Sequence, residues 1–292
     1  MKIELKKDKK IFNKFFIEKE KGENIIIGGG DGSGRTEILL QFFLYMVKNN
    51  IIDKNSVFID FVNNNSIPIK IQTILSNYAL DFNHKDFIIF SPTFKNNVNI
   101  FNNIKFNDGF QKKLLNKHKF FLMPCLEKSI YEYKKNSISQ FFNYLKSLPN
   151  NEGKEIPIFV DHLSDFKYED FKEYSEIMKT VNNKGYFFIN STYGMFNIFD
   201  FEKSFQVLKD SHKHFLMAHS QINLDNNFIK HINFKEALNN IESCDFYYLK
   251  DFELQSNHTL HLKDFLNSEL YGDKLIYTSG EELYLSNKIQ DF

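Results

Sequence analysis

Tryptophan is absent from this chain, arginine occurs once, and there are only two cysteines and five prolines in 292 residues. Two cysteines, Cys125 and Cys244, cannot build a disulfide framework or a four-thiolate zinc site, and they suit a reducing compartment. Net charge is also missing: 37 basic residues offset 37 acidic ones. A dedicated nucleic-acid coat or a polycationic membrane binder is therefore excluded as the leading class, because both need a basic surface. No apolar run reaches the length of a transmembrane helix, and the opening MKIELKKDKKIFNKFF has no apolar core of a signal peptide. The expected location is cytoplasmic. What is present is a hydrophobic content of 42 %, including 34 phenylalanines, enough to bury a large core and to exclude bulk disorder. The wealth of Phe, Asn and Lys matches A/T-rich codons, a background against which exceptions stand out.

Glycine is the sharpest exception. Of 12 in the chain, Gly28, Gly29, Gly30, Gly32 and Gly34 fall in one stretch of seven residues. Before them, Ile25-Ile26-Ile27 is a short β-branched run that reads as a buried strand. After them, Ile38, Leu39, Phe42, Phe43, Met46 and Val47 recur at helical spacing. A glycine loop between strand and helix can turn successive backbone N–H groups toward an anion, and the helix N-terminus adds its positive end. Residues 29–36, GGDGSGRT, follow the G-x-x-x-x-G-K-[ST] pattern with one departure. The stretch resembles the Walker A loop of P-loop NTPases. The resemblance implies phosphate binding by Gly29, Gly30, Asp31, Gly32, Ser33, Gly34, Arg35 and Thr36, with the Thr36 hydroxyl on Mg²⁺. Arg35, the only arginine of the chain, stands where lysine is expected. It keeps the charge but is bulkier, planar and forked, so it is not an equivalent phosphate clamp.

A second segment, Ile156-Pro-Ile-Phe-Val-Asp161-His162, is a hydrophobic strand ending in an acid. In P-loop proteins this is the Walker B position, which makes Asp161 the second candidate metal residue beside Thr36. P-loop ATPases of the additional-strand type carry a glutamate directly after this aspartate. Here it is His162, a group able to accept a proton near neutral pH. Asp165 is the nearest substitute carboxylate. One helix later, the strand of Gly185-Tyr-Phe-Phe-Ile-Asn190-Ser191-Thr192 ends in polar residues, where a γ-phosphate sensor is expected. Asn190, Ser191 and Thr192 are the candidates, with Ser191 grouped with His162 and Asp165 as catalytic.

Further strands are expected at 57–61, 87–90, 120–123, 215–218 and 246–249, and helices at 67–79, 130–148, 168–181, 201–209 and 228–241. Alternation of this kind predicts an α/β fold: a single RecA-like P-loop domain over 1–292, its mostly parallel sheet covered by helices on both faces. Residues 92–150 are the expected small insertion or helical subdomain, and the stretch after Phe246 is expected to close the sheet with a hairpin. Read in this order, the segments resemble the FtsK–HerA superfamily of DNA-pumping ATPases, most of all conjugative coupling proteins and type IV secretion ATPases. The resemblance spans roughly residues 20–255 and implies ATP or another NTP with Mg²⁺, DNA as a possible partner, and assembly with like or unlike subunits. With Arg35 already in the loop, no copy of this chain can lend an arginine finger to a neighbour. Three functions follow: an ATPase-like protein of the DNA-translocase or conjugation type, weak or degenerate in hydrolysis; an inactive nucleotide-binding scaffold or regulatory subunit of a larger assembly; or a P-loop kinase or other small-molecule phosphotransferase. His212 and His214 alternate along a strand and form a possible metal pair, with ordinary polar roles as the alternative. The lysine clusters at 6–10 and 112–119 read as solvated charged faces, with contact to DNA phosphates as the alternative.

Overall fold

The computed structural model describes residues 1–5, 15–30, 33–52, 56–60, 87–89, 120–124, 131–163, 166–193, 201–218, 245–261, 275–278 and 283–286. Their strands are β1 (Lys2–Leu5), β2 (Phe15–Glu18), β3 (Ile25–Gly29), β4 (Ser56–Asp60), β5 (Phe87–Ile89), β6 (Phe120–Pro124), β7 (Ile156–Asp161), β8 (Tyr186–Tyr193), β9 (His214–Ala218), β10 (Asp245–Lys250), β11 (Glu253–His261), β12 (Leu275–Thr278) and β13 (Leu283–Ser286). The helices are α1 (Arg35–Lys48), α2 (Tyr131–Ser147), α3 (Tyr168–Asn183) and α4 (Phe201–Ser211).

The central sheet has the order β11-β10-β9-β3-β8-β7-β4-β6-β5. From β9 to β5 the strands run parallel, while β10 and β11 are antiparallel additions at one edge. The triple isoleucine explains why β3 lies inside: all five of its residues are buried, the signature of a strand covered on both faces. Strand alternation divides the core. Ile25, Ile27, Phe58, Phe159, Phe187 and Ile189 lie under α1, whereas Ile26, Val57, Ile158, Val160 and Phe188 face α2 and α3. Much of the first layer is aromatic: Phe58 and Phe159 stack at 5.7 Å, and Phe43 of α1 meets Phe159 edge-on at 5.3 Å. Each such ring removed from water contributes roughly 2–3 kcal/mol.

The expected α/β architecture with a mostly parallel sheet and helices on both faces is what the chain adopts. All of the expected strands appear. β1 and β2, an antiparallel pair, were not expected. The hairpin that closes the sheet is β10–β11, while the apolar run from Leu275 pairs separately in β12–β13. Of segment 92–150, β6 joins the central sheet, and α2 sets Phe141, Phe142 and Leu145 into the main core. The expected helices at 67–79 and 228–241, both cysteines, His219 and both lysine clusters lie outside the described residues.

At the base of the sheet, buried Lys19 pairs with Glu155 at 2.8 Å and lies 4.3 Å over the Phe187 ring. Burial lowers the lysine pKa, and Glu155 opposes that shift. Glu155 also accepts the Gly22 N–H at 2.6 Å, tying the turn before β3 to the start of β7. The end opposite this base is left for the glycine loop.

Candidate functional site

β3, β7 and β8 all end on the same side of the sheet, and in parallel α/β sheets ligands bind beyond the carboxyl ends of the strands. The loop leaving β3 delivers the chain to α1 through Gly34, whose φ of 88° lies in the left-handed region that glycine enters without steric cost. Ile38 N–H donates to the Gly34 carbonyl at 3.0 Å, closing the first helical turn. The first N–H groups of any helix have no acceptor inside it, so this end of α1 presents donors where an anion would sit. Ser33 N–H donates to the Gly30 carbonyl at 3.3 Å, and the Ser33 side chain is buried. A Cβ at Gly29 would collide with Ser33 Oγ and would come within 2.8 Å of Ala218 Cβ, so this position needs glycine for space. Asp31 and Gly32 lie outside the described residues. Arg35 is buried, at 5 % exposure, in the slot of the motif's lysine.

Asp161 closes β7 with its carboxylate fully buried. Thr36 Oγ1 donates to its Oδ2 at 3.0 Å, and Ser191 Oγ donates to its Oδ1. Ser191 Oγ in turn accepts the His162 N–H at 3.1 Å. The glycine loop's threonine, the strand-end aspartate and the polar end of β8 thus meet in one cluster, although Thr36 and Asp161 are 125 positions apart. Among the described residues Asp161 has no cationic partner; its neighbours are hydroxyls. Oxygen donors around a buried carboxylate fit a hard divalent cation such as Mg²⁺.

The three sensor candidates separate. Ser191 lies on the α1 side with Asp161. Asn190 lies on the other face, buried, where Oδ1 accepts from the Tyr174 hydroxyl at 3.0 Å and Nδ2 meets His212 Nε2 at 2.9 Å. It is therefore turned away from the loop, and a sensor role by direct contact does not fit its position. Thr192 is buried and stands in register with Gly28. His162 has a φ of +64°, uncommon for a residue with a side chain, and a half-buried ring. Asp165 lies outside the described residues. One position escaped the sequence reading: Asp60, at the end of β4, stands in register with Asp161. Its signal was available, since Val57-Phe-Ile-Asp60 repeats the pattern of Ile158-Phe-Val-Asp161.

His212 and His214 do not form a metal pair. His214 engages Tyr248 Oη through Nδ1 at 2.8 Å and Glu23 through Nε2 at 2.9 Å, while His212 pairs with Asn190 and Ser211. His212 precedes β9, so strand alternation does not govern it. Burial pushes the His212 ring down to about 3, which keeps it neutral. Unfolded, the same ring titrates near 6.5, so between about pH 6.5 and 3 only the unfolded chain takes up this proton. Stability is therefore expected to fall with acidification across that window by as much as about 1.4 kcal/mol per pH unit from this residue, and to be level above it. Urea unfolding at pH 7.5, 6 and 5 measures the slope. A His212→Asn variant with the wild-type slope would remove the residue from this role.

No protein-family model and no curated protein matches the chain. Solved structures do. The bacterial conjugative coupling protein TrwBdeltaN70, in its unbound form, superposes with a TM-score of 0.52 over 82 % of this chain and 84 % of that one, at 8 % identity. The chain has the P-loop NTPase fold. The genome packaging NTPase B204 from Sulfolobus turreted icosahedral virus 2, in complex with ATP-gammaS, aligns at a TM-score of 0.44 and 12 % identity over 80 % of this chain and 94 % of that one. The cytoplasmic domain of the Thermomonospora curvata type VII secretion ATPase EccC aligns at a TM-score of 0.44 and 10 % identity over 88 % of this chain and 25 % of that one. In this P-loop fold β8 separates the strand of the glycine loop from the strand of Asp161. Among the described residues no helix is long and apolar enough to cross a membrane.

Proposed function

We propose that this chain binds a purine nucleoside triphosphate with Mg²⁺ at the carboxyl ends of β3, β7 and β8. The observation that carries the reading is the buried Asp161 carboxylate between Thr36, one step into the helix after the glycine loop, and Ser191. In this reading the amides of residues 30–34 cradle the phosphates, Arg35 neutralises them, and Thr36 and Asp161 hold the metal. The bound Mg²⁺ would supply charge neutralisation at the phosphates. Ser191 holds one Asp161 oxygen and the His162 N–H together, and so fixes the carboxylate's orientation.

The function is that of an ATPase-like protein of the DNA-translocase or conjugation type, with weak hydrolysis. Support comes from the TrwB-like fold and from the order of the motifs. Weak turnover is inferred from His162 standing in the glutamate position and from the lone arginine already lying in the loop. Those same features support a nucleotide-binding scaffold as second reading. Titration with ATP and Mg²⁺, followed by phosphate release with and without DNA, decides: DNA-stimulated turnover supports the motor, binding without turnover the scaffold, and no binding overturns both.

Two substitutions refine the site. Thr36→Ala is expected to weaken Mg²⁺-dependent ATP binding by about tenfold, the worth of one hydrogen bond to a charged group. Unaltered calorimetric binding would remove Thr36 from the site. Arg35→Lys, which restores a compact point charge, is expected to raise nucleotide affinity or turnover several-fold. No change in either would count against Arg35 touching phosphate.

A further inference from the structure

Behind Ser191, on the far face of β8, lies a polar chain inside an otherwise apolar layer. Asn190 is fully buried, and its neighbours on that face include Phe188 and Val160. An amide in such a place is tolerated only when each of its groups has a partner. Here Tyr174 Oη donates to Asn190 Oδ1 at 3.0 Å, which leaves Asn190 Nδ2 to donate to His212 Nε2 at 2.9 Å. His212 then carries its proton on Nδ1 and donates to Ser211 Oγ at 2.8 Å, and Ser211 donates to the Val207 carbonyl at 2.7 Å. The direction of every bond follows from the first. Burial keeps His212 neutral, so the donor order holds at neutral pH.

The chain links α3, β8 and the end of α4, and it meets β8 one residue before Ser191. Through the 190–191 peptide it continues to Asp161 and Thr36 on the opposite face. One bonded path thus crosses the sheet from α3 to α1. Any apolar side chain of similar volume would fill the space behind Ser191 without needing polar partners, so packing alone does not account for an amide there.

We infer that Asn190, held by Tyr174 and His212, is a positioning residue for the metal side of the nucleotide site: it fixes the end of β8 so that Ser191 orients Asp161. This rests on the reading of Asp161 and Thr36 as metal-holding residues. It predicts an effect on metal-dependent binding that loss of packing would not mimic.

The experiment compares ATPγS binding by calorimetry in Mg²⁺ and in EDTA for wild type, Tyr174→Phe and Asn190→Leu. The first variant keeps the ring that stacks against Phe142 and removes only the donating hydroxyl. In both variants the Mg²⁺ enhancement of binding is expected to fall about tenfold, the size of effect seen when a group supporting a metal ligand is lost. Affinity in EDTA stays at the wild-type value. If Asn190→Leu does not fold, Tyr174→Phe decides alone. A folded Tyr174→Phe protein with the full Mg²⁺ enhancement overturns the inference, as does an equal loss in Mg²⁺ and EDTA, which marks a structural role. A wild-type chain that binds ATPγS in neither buffer removes the nucleotide site itself and this inference with it. That outcome is recognised before any variant is measured.

Discussion

Asp161→Asn is expected to abolish the Mg²⁺ dependence of ATP binding, a loss of about 100-fold or roughly 2.7 kcal/mol, while raising the stability of the nucleotide-free protein. The two effects share one cause. The carboxylate is fully buried and faces two hydroxyls, with no cation among the described residues to offset it. Taking a carboxylate out of water costs several kcal/mol, and two hydroxyl bonds return only part of that. The amide fills the same space, keeps one acceptor, and presents a donor to the other hydroxyl, which accepts by rotating. Thermal unfolding without nucleotide is expected to move upward, by the equivalent of about 1–2 kcal/mol. Binding in EDTA is expected to hold or improve, since a negative charge facing the triphosphate is gone. Calorimetry in Mg²⁺ and EDTA, paired with a melting curve, checks both signs. A variant that binds Mg²⁺-ATP as wild type does would take Asp161 out of the metal site.

Gly29→Val is the second large effect, and it acts on the loop's shape. The added carbon would collide with Ser33 Oγ and press on Ala218 of β9 at 2.8 Å. Ser33 Oγ can rotate aside, but Ala218 Cβ at 2.8 Å and Ser33 Cβ at 3.1 Å cannot, so the loop must open or β3 and β9 must part. Overpacking of this kind costs about 1–3 kcal/mol, and it displaces the backbone of the loop proposed to hold phosphate. Nucleotide affinity is expected to fall by more than about tenfold, with a lowered melting temperature. Gly153→Ala is the control: its added carbon meets only Asn151 Oδ1, at 3.4 Å, so both stability and binding are expected to stay put. Equal behaviour of the two variants would mean that the 29–33 contact does not shape the loop.

A ring of identical subunits completes phosphoryl transfer with a cation lent by a neighbour, and Arg35 is the only arginine this chain owns. DNA-stimulated turnover by the isolated chain would therefore require a lysine in that role, whereas a scaffold requires none.

Local patterns carried a good deal. Five glycines in seven residues, a β-branched run before them and a helical period after them specify strand, loop and helix within about twenty positions, because propensity and periodicity act over that range. Strand-end Asp161 and the alternation of strands with helices were legible for the same reason, and they sufficed for the α/β class. Tertiary structure alone decided the rest. That β8 lies between β3 and β7 is a matter of pairing between segments far apart in the chain. So is the choice of Ser191 over Asn190: adjacent residues of a strand face opposite sides, and only the sheet's layers say which side holds Asp161. His212 and His214 acquired separate partners, Asn190 and Glu23, from elements more than 20 and 190 positions away. Such contacts leave no periodic trace in sequence, since they are made by packing, not by spacing.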